Sequence, residues 1–275
     1  MASTEKYLQQ LQTDKSNLIA KFNEKGLMLD SSATFTDIVN EFDNLPSGGV
    51  TPAQGLIIDE YNKAGRVTKI SIVGFTTIPS NYFQSLFNGN SMFSPITSLV
   101  IPEGVTEIKD YGLASNAGLT NITLPQTLKI LGTYACSSLT NITSLTLPES
   151  LETIGTNCFR SISKLTRLNI PSKVTTIPDY GIYTNTKLET VVLKGETINL
   201  GSKALASNSA LKYVVLPNVT SVGTMESNAF EGTPIANLTG GHIYVPDALV
   251  DTFKSATNWS KHAGQIYALS QWNGE

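Results

Sequence analysis

One interval dominates the chain: Ile96, Leu119, Ile142, Leu165, Leu188 and Leu211 recur every 23 residues. Taking these as offset 0, offset 3 carries Leu99, Ile122, Leu145, Leu168, Val191 and Val214. Offset 5 carries Ile101, Leu124, Leu147, Ile170, Leu193 and Leu216, and offset 6 is Pro at 102, 125, 148, 171 and 217, with Lys194 the exception. Offsets 9 and 12 pair Val105 with Ile108, Leu128 with Leu131, Leu151 with Ile154 and Val174 with Ile177, and offset 16 is always small. Self-similarity at such a period is the signature of a solenoid. Alternation at offsets 3 and 5 is that of a short strand with one buried face. Proline then ends the strand because it has no N–H for the ladder. One coil cannot bury its own apolar face, so neighbours must stack on both sides. The expected fold is a β-rich solenoid of 23-residue repeats with a parallel sheet along one side.

Four regions follow from the pattern. Residues 1–45 read as a small α-helical module, 46–54 (PSGGVTPAQ from Pro46) as a linker, 55–238 as the solenoid and 239–275 as a C-terminal cap. In the module, Tyr7, Leu8, Leu11, Leu18, Ile19 and Phe22 share one face of a helix over 4–24, with Gly26 at its C′ position. A second helix over 35–44 has Thr34 as N-cap and Asp37 three residues on. Leu8, Leu11, Leu18 and Phe22 fit heptad positions, with Lys15 the exception, which points to homo-oligomerisation, a trimer among the options. The cap reads as a strand, a helix from about Asp247 and a last strand.

Segments such as LTNITLPQTLKILGTYACSS and ITSLTLPESLETIGTNCFRS resemble the BspA-like leucine-rich repeats, a bacterial surface family. The resemblance covers roughly residues 67–235, with an insertion of about six residues before Ile96 and departures at Lys194 and Thr197. It implies leucine-rich-repeat coils that present surfaces. The stretch NLIAKFNEKGLMLDSSATFTDIVNEF, within the helical module, is similar to a short module of tail- and baseplate-associated proteins of phages infecting low-GC Gram-positive bacteria. It implies attachment to other virion proteins.

Composition narrows the function classes. Charged residues are only 15% and the net charge of −3 falls within the first 45 residues, where four Lys face seven Asp and Glu. No basic patch marks a nucleic-acid surface. The N-terminus MASTEKYLQQLQ lacks an apolar signal-peptide core, and no stretch approaches the apolar length of a membrane span. The expectation is a protein made in the host cytoplasm without a signal peptide and located in the virion, with the bacterial cell surface as the alternative.

Candidate chemistry is sparse. His242 and His262 have no Cys or carboxylate at ligand spacing, so neither a metal nor another cofactor is expected. Cys136 and Cys158 fall at neighbouring offsets of adjacent coils; they either bridge or fill the interior as small residues. No phosphate loop, nucleophile elbow or repeated carboxylate pair appears, which argues against an enzyme.

Two surfaces remain. Offsets 2 and 4 place Asn121, Thr123, Ser144, Thr146, Arg167, Asn169, Thr190 and Tyr213 on the outward face of the sheet. Their hydroxyls and amides suit a host cell-surface glycan or protein, although Thr and Val are also simply good strand residues. Offset 15 gives Tyr111, Tyr134 and Tyr180, a ladder broken at Asn157, which either meets a partner or stacks on itself. The function that follows is a non-enzymatic virion protein displaying its repeats to a host surface, or else a bacterial adhesin binding host matrix or other cells.

Overall fold

A computed structural model describes residues 55–61, 67–83 and 96–274. The helical module and the linker lie outside the described residues, as does the insertion before Ile96.

The repeat folds as its period demands. Offsets 2–4 form short parallel strands: β2 (Val67–Val73), β4 (Ser98–Val100), β6 (Asn121–Thr123), β9 (Arg167–Ile170), β11 (Thr190–Leu193) and β13 (Tyr213–Val215). Coil pairs with coil at equal offsets, so Leu99 faces Ile122 and Leu168 faces Val191, which in turn faces Val214. A one-residue slip would turn every apolar side chain outward, so burial of offsets 3 and 5 fixes the register. Those offsets are buried throughout.

A second, narrower ladder runs along offsets 11 and 12. It comprises β3 (Thr77–Ile78), β5 (Glu107–Ile108), β7 (Ile130–Leu131) and β8 (Thr153–Ile154), continued by the pair β10 (Thr176–Ile177) and β12 (Asn199–Leu200). Val105, Leu128, Leu151 and Val174 at offset 9 are buried beside it. In the coil that lacks an apolar offset 9, Thr197 is half-buried and its neighbour Ile198 goes into the core instead.

The third side is not a β-sheet. Offset 15 is left-handed in each successive coil: Tyr111 (φ 59°), Tyr134 (55°), Asn157 (56°), Tyr180 (55°) and Lys203 (52°). So is offset 19, from Ser115 to Ser207. The left-handed turns aim alternate N–H groups along the solenoid axis. Tyr111 N–H donates to Thr133 O (2.9 Å), Leu113 N–H to Ala135 O (2.8 Å) and Ser115 N–H to Ser137 O (2.9 Å), and the pattern repeats coil by coil. Backbone groups that would be orphaned in a tight corner are thereby paired. Glycine is required where neighbouring coils touch closely: a Cβ on Gly155 would sit 2.5 Å from the backbone of Gly132.

Buried asparagines close the same corner at offset 20. Asn185 Nδ2 donates to Phe159 O (2.8 Å) and its Oδ1 accepts from Ile162 N–H (2.6 Å). Asn208 Oδ1 accepts from Asn185 N–H (2.7 Å), and its Nδ2 donates to Ile182 O (2.8 Å) and Leu205 O (2.7 Å).

Both ends depart from the repeat. At the start, β1 (Gly55–Tyr61) pairs antiparallel with β2 and carries bulges between Ile58 and Tyr61. At the far end, β14 (His242–Val245) joins β13 in parallel, and Pro246 ends it. The chain then forms a 3-10 turn (Asp247–Leu249), α1 (Val250–Ser255), a 3-10 segment (Trp259–Gln265) and β15 (Ile266–Ala268), parallel to β14. Trp259 is fully buried against Phe253 (4.9 Å between centroids) and Phe230 (6.4 Å), and its indole N–H donates to Gly223 O (3.0 Å). The cap thus covers the apolar end that the last coil would otherwise expose.

No helix among the described residues is long and apolar enough to cross a membrane.

Candidate functional site: the outward face of the sheet

The two ends of the outward face differ in chemistry. On β4 and β6 its side chains are short and, apart from Val100, polar: Asn121 Nδ2 donates to Ser98 Oγ (3.3 Å), and Asn121 and Thr123 are exposed. Ser144 and Thr146 are exposed too, but they do not lie on a strand, contrary to the sequence expectation. The ladder divides there, between a sheet ordered β1-β2-β4-β6 and one ordered β15-β14-β13-β11-β9. The bonds that join Thr120 and Asn121 N–H to Thr97 O have no counterpart at Thr143 and Ser144 among the described residues. Nothing in the sequence of this coil accounts for the break.

In the second sheet, offset 2 runs Arg167, Thr190, Tyr213, His242 across four strands, and offset 4 runs Asn169, Val192, Val215, Tyr244, Tyr267 across five. Arg167 and Asn169 are exposed, and the guanidinium Nε donates to Asn169 Oδ1 (3.2 Å). Thr190 is buried rather than exposed, which removes it from the contact surface. It is the strand partner of both Arg167 and Tyr213, so its short side chain lies between two long ones.

At the cap end the face becomes aromatic. Trp272, just beyond β15, packs against Tyr213 (centroids 5.0 Å, planes at 64°) and Tyr244 (4.9 Å, 50°). Tyr244 neighbours Tyr267 (6.0 Å), and the His242 ring meets Tyr267 edge-on (4.9 Å, 88°). All five rings are half-buried. Partial burial, and after it the nearby Tyr213 and Tyr267, hold the Tyr244 phenol above its ordinary value. Of these rings only Tyr213 was legible as a candidate. The signal for the others lay in HIYVP, which repeats the apolar spacing and proline of the coils with Ile243, Val245 and Pro246 at offsets 3, 5 and 6. The interval from Val214 to Ile243 exceeds 23 residues, so counting alone misses it.

The tyrosine ladder stacks on itself. Tyr111 and Tyr134 lie parallel (4.8 Å, 6°). At the missing rung, Arg160 Nη1 donates to Asn157 Oδ1 (3.3 Å) while its guanidinium covers Tyr183 (5.2 Å), and Tyr183 meets Tyr180 edge-on (5.1 Å). Tyr180 is therefore not part of the parallel stack.

The two histidines occupy different surroundings. His242 belongs to the outer cluster, whereas His262 is buried edge-on to Phe230 (5.4 Å), where burial lowers its pKa. No group of three or more His, Cys, Asp or Glu converges among the described residues. Cys136 and Cys158 are adjacent, fully buried free thiols. Burial, and then the neighbouring Cys136, push the Cys158 thiol well up, so it is not a thiolate nucleophile.

Comparison with known proteins gives a family. The family model described as the BspA type leucine-rich repeat region matches residues 76–212 and 133–245, together more than half of the chain. No curated protein matches the sequence. Similar solved structures include a leucine-rich repeat protein from Bacteroides ovatus, 18% identical with TM-score 0.48, the match covering 70% of this chain and 58% of that one. The leucine-rich repeat protein of T. pallidum is 19% identical with TM-score 0.42, covering 62% of this chain and 82% of that one. A leucine-rich cell surface protein from Faecalibacterium prausnitzii is 14% identical with TM-score 0.38, covering 82% and 95%. The 23-residue coils and the family match agree: the chain belongs to the BspA-type leucine-rich-repeat family.

Proposed function

We propose that this chain is a non-enzymatic recognition protein whose solenoid presents the outward sheet face to another surface. One observation carries the reading: a cluster of five half-buried rings lies on the side of the sheet that faces away from the core. The coils bury their main apolar residues at offsets 3 and 5; on the outward face Val192 and Val215 are buried as well, beside rings that keep part of their own surface open. Solvent-facing aromatic groups with polar tips are characteristic of contact surfaces. Repetition along a solenoid provides an extended face for the rest of the contact.

The finer setting we propose is a phage tail or baseplate, with residues 1–45 holding the protein to other virion proteins as a homo-oligomer and the repeats reaching a host cell surface. It rests on the resemblance of the helical module. A second setting is supported by the family match: a bacterial surface adhesin that binds host matrix or other cells. Binding of labelled full-length protein to Gram-positive cell-wall fragments and to immobilised fibronectin tests the choice. Attachment to wall fragments favours the first setting, attachment to fibronectin the second, and attachment to neither overturns a recognition role. Light scattering on a chain starting at Gly55 tests the attachment module; an unchanged oligomeric state would remove that part.

A further inference from the structure

We propose that the aromatic end of the outward face binds the pyranose rings of a neutral glycan, with Tyr244 and Trp272 as stacking surfaces and the Arg167–Asn169 pair as the polar edge. The inference rests on the recognition role above and names its ligand class.

A pyranose has an apolar face of C–H groups and a rim of hydroxyls that both donate and accept. A site for it needs flat aromatic area together with fixed polar groups of both kinds. The cluster supplies the area: among Tyr213, Tyr244, Tyr267 and Trp272 the rings in contact have centroids 4.9–6.4 Å apart, and each is half-buried and so held in place with part of its surface open. The polar groups are present and unspent. The hydroxyls of Tyr213, Tyr244 and Tyr267 have no hydrogen-bond partner among the described residues. Arg167 holds only its Nε to Asn169, which leaves the Nη edge free to donate.

Charge selects among ligand classes. No residue at offsets 2 and 4 of β9, β11, β13, β14 or β15 is acidic, so a cationic ligand finds no counter-ion. A polyanion would need a basic row, and Arg167 is the one fixed cation there. A peptide that binds by strand addition pairs with the edge of a sheet, whereas these rings stand on its face. From β9 to β15 the face spans four strand spacings, roughly 19 Å, enough for several linked sugar rings.

The chain contains two tryptophans; Trp259 is buried in the cap and Trp272 lies in the cluster, so ligand-induced changes in emission report on Trp272. Full-length protein is added to Gram-positive cell-wall fragments that have been left intact, oxidised with periodate or digested with protease, and then titrated with the neutral polysaccharide released from them. The expected result is binding that protease leaves and periodate abolishes, with a saturable change in emission that Trp272→Phe removes while circular dichroism is unchanged. Tyr244→Ala and Arg167→Ala, the latter two strands from the nearest ring, should each weaken binding about three- to tenfold. Binding that survives periodate, or that neither substitution weakens, overturns the glycan assignment and leaves the recognition role standing. Failure of the wild-type protein to bind intact wall fragments or matrix protein removes both.

Discussion

Replacing Asn185 by leucine tests whether the asparagines at offset 20 hold the corner of the solenoid. Shape is not the obstacle, because Leu139 and Ile162 fill the same offset in other coils and are fully buried. What changes is polar satisfaction. The substitution orphans Ile162 N–H and Phe159 C=O, both now bonded to the Asn185 amide in a site with no exposure. Each buried group left unpaired costs about 1–3 kcal/mol. Burying the larger apolar side chain returns about 2 kcal/mol, so the net loss should be about 2 kcal/mol. Asn208→Leu strips three backbone groups, those of Asn185 N–H, Ile182 C=O and Leu205 C=O, and should lose about twice as much. Urea denaturation of the full chain followed by circular dichroism gives both values. An Asn185→Leu protein as stable as the wild type, or an Asn208→Leu protein no worse than Asn185→Leu, would show that these amides do not hold the coils together.

Other outcomes follow from burial and charge. Leu168→Ala should cost ~3–5 kcal/mol and Leu145→Ala somewhat less, since Leu168 is fully buried and Leu145 is 8% exposed, in the coil where the ladder is broken. Exposed Thr143 and Thr166 should tolerate alanine within ~0.5 kcal/mol, and equal losses for both sets would refute the inward placement of offset 3. Burial lowers the His262 pKa from its ordinary 6.5, so below that pH the unfolded chain binds a proton that the native imidazole refuses. Stability should therefore fall as the pH drops from 6.5 towards the native pKa, and the slope in that window should flatten in His262→Gln; an identical pH profile for both proteins would place the histidine in water. Cys136 and Cys158 should resist a thiol reagent in the native protein and react together on unfolding, and rapid native labelling would contradict their burial.

The inward-facing half of each coil was legible because a period of 23 places one residue type at one depth again and again. The corner was not, because left-handed backbone is associated with Gly and Asn, and here tyrosine occupies it at 111, 134 and 180. Their recurrence was compatible with a binding row or with stacking, and Tyr111 and Tyr134 stack, spending their faces on each other. The antiparallel β1 escaped because pairing direction is set by the tertiary path and leaves no mark in GLIIDEY. Half of the site was hidden for a different reason. Outward exposure at offset 2 depends on the length of the neighbours, which hides Thr190, and the aromatic cluster depends on a cap whose last strands fall outside the period.

The axial hydrogen bonds at offsets 15, 17 and 19 have a consequence for how such a chain can change over time. Each links a residue to the carbonyl of the following coil, so a lone insertion or deletion in that corner puts several bonds out of step at once. Removing or duplicating one whole coil leaves every remaining bond intact. Length is therefore a quantised trait, altered by recombination of complete coding units in steps of roughly 5 Å of reach. The aromatic surface is built by the last coil and the cap, so it is kept unchanged while the number of coils preceding it grows or shrinks.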